Sequence, residues 1–203
     1  MLKEIFDRYN CDKSNHHYHT VYEPDFESLK DKPIKILEVG IWKGTSHSSW
    51  HEYFPNAQIY GIDIFSRIKP EDVKILSEDR VHWLKYDSTS FSATSYCQTK
   101  WGDIKFDIII DDGRHDPEAN ARTFENFSPM LAKEGIYYVE DVWPLDIMSV
   151  TEYNHHWIKS NPERYNTIQW KIFQKSMQGF NVERFDLRKP SKLPDSYIFR
   201  ITR

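Results

Sequence analysis

The chain has 203 residues, 39% of them hydrophobic and 15% aromatic with 29% charged, which suits one hydrophobic core under a well-solvated surface. Lys and Arg number 27 against 31 Asp and Glu, a net charge of -4, so the bulk numbers carry no basic footprint for nucleic acid. The start lacks a signal-peptide core, no apolar run is of membrane-spanning length, and the two cysteines, Cys11 and Cys97, have no metal-ligand spacing; a cytoplasmic protein without membrane or disulfide scaffold is expected.

Neither an internal repeat nor a Gly/Ser- or Pro-rich linker divides the sequence, so residues 1-203 are expected to form a single domain. Ile5, Phe6 and Tyr9 have the spacing of a short helix over 3–9. The following stretch, Cys11 to Glu23, is polar, aromatic and imidazole-rich, with little core-forming pattern; it is expected to fold over the sheet edge and contact a ligand. Its histidines lack a second cluster at metal-ligand spacing.

After Pro33, residues Ile34 to Gly40 read as the first core strand, and Gly40 to Ser46 as a glycine-bearing turn opening a helix through Trp50 and Phe54, with Thr45 or Ser46 as its cap. The pattern Glu38-x-Gly40-x-x-x-Gly44 departs from Gly-x-Gly-x-x-Gly, whose second glycine makes room for a pyrophosphate, so a ligand without phosphates fits better. Strand Ile59–Ile64 carries Asp63 at its end, where a carboxylate can meet ribose hydroxyls. Pro70–Leu76 reads as helix and Val81–Tyr86 as strand, followed by Asp87, which suits either an adenine amine or an Asx-turn.

Two strands then end in acid. Phe106 to Ile110 runs into Asp111-Asp112-Gly113-Arg114-His115, and Gly135 to Val139 runs into Glu140-Asp141, with a helix from Asp116-Pro117 to about Ala132 between them. The strand–helix alternation implies a parallel sheet with right-handed crossovers. Residues 143–179 are expected to hold one or two helices around Pro162. Phe180–Phe185 and Ser196–Ile201 are joined too briefly to be anything but antiparallel.

Neighbouring strand ends bearing up to four carboxylates raise one another's pKa unless a cation compensates, and a hard divalent ion with oxygen ligands is the natural one. Mg²⁺ keeps open positions that a diol could fill, and His115 lies close enough to take a hydroxyl proton. Arg114 can pair with an acid or meet an anionic substrate group.

This order of motifs resembles the class I S-adenosylmethionine-dependent methyltransferases. It narrows at Asp12-Lys13 with His19 to Tyr22, at Tyr53 to Ala57 leading into Tyr60-Gly61-Ile62-Asp63, and at Ile110 to His115 with Glu140-Asp141. There it is similar to the metal-dependent sugar O-methyltransferases that modify macrolides and other glycosylated natural products. The likeness covers most of residues 9 to 142.

It implies a Rossmann-like α/β fold with a mostly parallel seven-stranded sheet, a C-terminal antiparallel hairpin and helices on both faces. Residues 1-32 would form an N-terminal cap, 33-142 the cofactor and metal-site core, and 143-203 the substrate-side helices and hairpin. The implied cofactors are S-adenosyl-L-methionine and Mg²⁺ or another divalent metal. Asp112, Glu140 and Asp141 would be the metal ligands and His115 the base. Glu38, Gly40, Gly44, Asp63, Asp87, Ser88 and Asp111 are the candidate cofactor residues, and Lys13, His19, Tyr22, Arg114 and Trp143 the candidate substrate residues.

The sequence departs from the family at Arg114, where a small residue is usual, and at Ser88, where glutamine is common. The partner implied is a small sugar or glycoside, with homo-oligomeric assembly left open. Two other functions fit the same features: hydroxylation of an antibiotic-type precursor, and cofactor binding without catalysis.

Overall fold

A computed structural model describes residues 1–203. Seven strands, β1 (Lys35–Val39), β2 (Gln58–Asp63), β3 (Val81–Lys85), β4 (Phe106–Asp111), β5 (Leu131–Val139), β6 (Asn181–Asp186) and β7 (Tyr197–Thr202), form one sheet. Its order is β3-β2-β1-β4-β5-β7-β6. The first five strands are parallel, and β7 lies antiparallel between β5 and β6. This is the Rossmann-like arrangement expected, closed by the expected hairpin.

The helices are α1 (Leu2–Arg8), α2 (His19–Phe26), α3 (Thr45–Tyr53), α4 (Ala93–Trp101), α5 (Pro117–Phe127), α6 (Val150–Tyr153), α7 (His156–Lys159), α8 (Thr167–Ser176) and α9 (Arg188–Ser191). None is long and apolar enough to cross a membrane. Because strand side chains alternate between faces, the sheet has two cores. Leu37, Val39 and Ile109 pack with α4, α5 and α8; Ile36, Ile108, Ile110 and Tyr138 pack with α1, α2 and α3.

Local chemistry accounts for several boundaries. The Asp116 carboxylate accepts from the Ala119 N–H and Pro117 occupies the first turn of α5, a cap worth about 1 kcal/mol. At α3 the expected Thr45 or Ser46 cap is replaced by Gly44 at φ 73°, with no side-chain bond; the Ser46 hydroxyl donates instead to Glu38. The stretch 70–77 forms two short 3₁₀ turns rather than one helix. Helix α5 ends at Phe127, and β5 begins at Leu131, earlier than Gly135.

The sequence reading had no counterpart to α4, and residues 143–179 hold three helices where one or two were expected. The N-terminal stretch is also more central than its polarity suggested. Tyr22 and Phe26 are buried against Trp50 and Tyr138, and the buried Tyr18 packs edge-on to Tyr22. Both cysteines are buried and free.

Candidate active site

The sheet order reverses between β1 and β4, and in open α/β sheets ligands bind in the crevice beyond the strand ends at that switch point. Here Gly40, just past β1, comes so close to β4 that a Cβ on it would lie 2.0 Å from the Asp112 carbonyl oxygen. Its φ of 94° suits glycine alone. A cavity of about 470 Å³ opens at this point, within the range of small-molecule sites.

Strand parity sorts the acids. In register, Ile110 pairs with Tyr138 and Asp111 with Val139, so Asp112 and Glu140 follow side by side. Glu38 on β1 and Glu140 past β5 share the face covered by the N-terminal helices, and there they meet Lys13, which is only 2% exposed. Its Nζ lies 2.6 Å from Asp112 Oδ2 and 3.2 Å from Glu38 Oε1, and it donates to Glu140 Oε2. Tyr22 donates its hydroxyl to the other Glu140 oxygen.

Burial alone would discharge this lysine, but Asp112, Glu140 and Glu38 outweigh it and hold its pKa well above the usual value. Burial likewise opposes the charge on Glu38, yet Lys13, His47 and Ser46 prevail and bring its pKa down to about 2. Asp111, of opposite parity, is buried on the α5 side, where Asn120 and the Gly113 N–H donate to it; burial pushes it up to about 7.

On the cavity side, Asp112, His115 and Asp141 converge. His115 Nε2 lies 3.7 Å from Asp112 Oδ1 and 3.8 Å from Asp141 Oδ2. One ligand atom from each of the three residues falls within 4.8 Å of the other two. The second oxygen of each carboxylate is held by the fold: Asp112 Oδ2 by Lys13, and Asp141 Oδ1 by the Tyr18 hydroxyl at 2.6 Å, with His16 Nδ1 at 3.3 Å. His115 and Asp141 are both left-handed, at φ 61° and 52°, a strained backbone that tends to occur at functional sites.

Burial pushes Asp112 up to about 6 despite Lys13 and His115. His115 goes the other way from what burial dictates: Asp141 and Asp112 overcome it and raise its pKa. Two carboxylate oxygens beside an imidazole, with open space in front, form a donor set that suits a divalent cation.

The cofactor side of the cavity is built by β1, β2 and β3. The Asp63 carboxylate accepts from the N–H groups of Ile41, Trp42 and Phe65 at 2.8, 2.9 and 2.6 Å, fixing the glycine turn while lining the cavity. Asp87 forms an Asx-type turn with Thr89, and it and Ser88 also line the cavity. Over the opposite wall, Trp157, Asn161, Arg164 and Tyr165 form a lid. It is braced by bonds from Trp157 Nε1 to the Tyr165 hydroxyl and from Asn161 to the Trp157 carbonyl.

Of the candidate cofactor residues, Gly40, Asp63, Asp87 and Ser88 line the cavity, whereas Glu38, Gly44 and Asp111 do not. Of the candidate metal ligands, Asp112 and Asp141 meet His115, while Glu140 turns inward. Arg114 lines the cavity and is paired with Asp116 at 2.5 Å. Lys13, Tyr22 and Trp143 are buried away from the cavity and His19 is off it, so these four do not form its wall. Tyr18, His16, Trp157, Asn161, Arg164 and Tyr165 were not singled out individually, although residues 11–23 were expected to contact a ligand and 143–203 to lie on the substrate side. Of the lid residues only Trp157 lies on a helix, α7; Asn161, Arg164 and Tyr165 follow it in a turn, which left no periodic signal in the sequence.

Fold and crevice together define the architecture of a class I methyltransferase. A solved structure, the MycE methyltransferase of the mycinamycin biosynthetic pathway in complex with Mg and SAH, matches 99% of this chain and 54% of its own, at a TM-score of 0.69 and 22% identity. No protein-family model matches the chain.

In sequence the chain is similar to sugar and macrolide O-methyltransferases. It is 30% identical over 152 residues to mycinamicin VI 2''-O-methyltransferase of Micromonospora griseorubida, covering 70% of this chain and 36% of that protein. To the 8-demethyl-8-(2-methoxy-alpha-L-rhamnosyl)-tetracenomycin-C 3'-O-methyltransferase of Streptomyces olivaceus it is 31% identical over 135 residues, 63% of this chain and 33% of that one. The chain thus spans about a third of the length of the curated relatives it matches.

Proposed function

We propose that this chain is an S-adenosylmethionine- and Mg²⁺-dependent O-methyltransferase acting in the cytoplasm on a hydroxyl of a sugar or glycosylated small molecule, with residues 1–203 working as one methyltransferase domain. The observation that carries the reading is the convergence of Asp112, His115 and Asp141 at a cavity bounded by Gly40 and Asp63. The relatives support it: a second MycE structure is a complex with Mg, SAH and mycinamycin VI.

A neutral alcohol is a poor nucleophile toward a sulfonium methyl group. His115 accepts the acceptor hydroxyl's proton at Nε2 as oxygen attacks, a role worth about 10²–10⁴-fold. Asp112 and Asp141 hold the cation, and Tyr18 keeps Asp141 in place. When bound, the divalent ion lowers the hydroxyl pKa. Gly40 to Trp42 and Asp63 orient the cofactor, and the Trp157–Tyr165 lid shields the reacting atoms from water.

The test is methyl transfer to a panel of glycosides, read as a mass gain of one methylene. His115→Ala is expected to lose about 10²–10⁴-fold in turnover while keeping calorimetric binding of S-adenosylmethionine. Full activity after exhaustive chelation would refute the metal dependence, and a mass gain of one oxygen would point to hydroxylation.

A further inference from the structure

Two arginines on the cavity wall have nothing to hold. Arg67, just past β2, has no hydrogen bond or ion pair, and Arg164, in the lid, comes only within 3.6 Å of the exposed Glu163 beside it. Every other arginine of the chain is held by a carboxylate or by backbone carbonyls. The carboxylates that line the same cavity are mostly engaged elsewhere. Asp63 accepts from three backbone N–H groups and Asp87 from Thr89, while Lys13 and Tyr18 hold Asp112 and Asp141. Asp12 alone among them lacks a side-chain partner, and it pairs with neither arginine.

Beside Arg164 stands an aromatic platform. Trp157 lines the cavity and is 43% exposed, unusual for so large an apolar side chain. Its one polar atom, Nε1, donates to the Tyr165 hydroxyl at 2.7 Å, and that hydroxyl lies 3.5 Å from the His115 carbonyl oxygen. An indole with its N–H already satisfied is thereby fixed next to the proposed base. Burial pushes the Tyr165 hydroxyl up to about 12, while Trp157, Arg164 and Arg114 act against it, so the Arg164 charge acts within reach of the same hydroxyl. An indole face suits the C–H side of a sugar ring, and a guanidinium fork suits a carboxylate or a phosphate.

We infer that the lid is an anion-selecting acceptor subsite: Trp157 carries the sugar ring, and Arg164 pairs with a carboxylate or phosphate that the glycoside bears away from the methylated hydroxyl. Arg67 adds positive charge from the opposite wall. The inference rests on the glycoside acceptor of the proposed function and names its chemical class, an acidic sugar.

The test is calorimetric titration of the full chain, loaded with S-adenosylhomocysteine and Mg²⁺, with methyl glucoside, its 6-carboxylate and its 6-phosphate, and with the corresponding sets for galactose and mannose. In at least one set an anionic member should bind about tenfold or more tightly than its neutral parent, and the advantage should shrink as salt is raised. A larger gain for the carboxylate assigns a uronic acid and a larger gain for the phosphate a sugar phosphate; either supports the inference. Arg164→Gln should remove most of the advantage and Arg164→Lys only part of it, whereas Trp157→Ala should weaken neutral and anionic members by the same factor.

Equal affinity within every set, or methyl transfer confined to neutral glycosides, would overturn the inference and leave the proposed function standing. So would an Arg164→Gln variant that keeps the full anionic advantage, or one that loses S-adenosylmethionine affinity as steeply as acceptor affinity, since the arginine would then serve the cofactor. Absence of both binding and methyl transfer with every glycoside would overturn inference and function together.

Discussion

Gly40 is where the cofactor turn and the acidic strand end touch, and no side chain can be inserted there. Gly40→Ala would place a Cβ 2.0 Å from the Asp112 carbonyl and force alanine into φ 94°. Left-handed strain of this kind costs about 1–3 kcal/mol before the clash is counted. The expected outcome is a Tm lower by several degrees, measured by thermal melting, with weakened S-adenosylmethionine binding. At this scale the strand ends that carry Gly40, Asp63, Asp112, His115 and Asp141 were legible, because each residue lies at or within a few residues of the end of an apolar run. The inward turn of Glu140 and the burial of Asp111 also lay in the sequence, as strand parity: Asp111 shares a face with Ile109, and Glu140 with Tyr138. What no local pattern showed is that Lys13, 99 residues from Asp112 along the chain, supplies the buried counter-charge.

Among the elements, α5 bears most directly on the site, since its cap lies next to His115. Asp116 accepts from the Ala119 N–H at 2.9 Å and also holds the Arg114 guanidinium. Asp116→Ala should therefore cost about 1–2 kcal/mol, the loss of a good cap, read as a shift in urea midpoint. It should also free Arg114 on the cavity wall, whereas Asp116→Asn should keep most of the cap. Helix α5 was legible from Asp116-Pro117 at its start. Helix α4 was not, because Ala93–Trp101 mixes small, polar and aromatic residues without a clear period; its burial rests on Ala93 and Cys97. Residues 11–23 showed little core-forming pattern for a related reason: their tyrosines and lysine find their partners far away in sequence.

Across the whole molecule, salt links tie the segment behind the lid to the C-terminal hairpin. Arg184 on β6 grips both oxygens of Asp146 at 2.8 Å, and Arg188 on α9 joins Glu152 and Asp186, both at 2.6 Å. The bonds from Arg184 and Arg188 lower the pKa values of Asp146 and Asp186 below 3.8; for Glu152, burial is outweighed by Ser149 and Arg188. Depressed carboxylate pKa values give stability that is complete above the unfolded-state values and lost as pH falls through the folded ones. Tm should accordingly drop below about pH 4, and Asp146→Asn should flatten that slope; the carboxylates are partly exposed, so each link contributes only about 0.5–1 kcal/mol.

The place of β7 in the sheet has a temporal consequence. The strand that follows all the others in sequence is inserted beside β5, whose end delivers Glu140 and Asp141, and its Arg200 clasps Asp25 of α2. During synthesis the two acidic strand ends emerge many residues before the element that seats them. A nascent chain halted before Tyr197 would carry every residue of the site with the β5 edge still open, and the ability to hold a cation should appear only once β7 has left the ribosome.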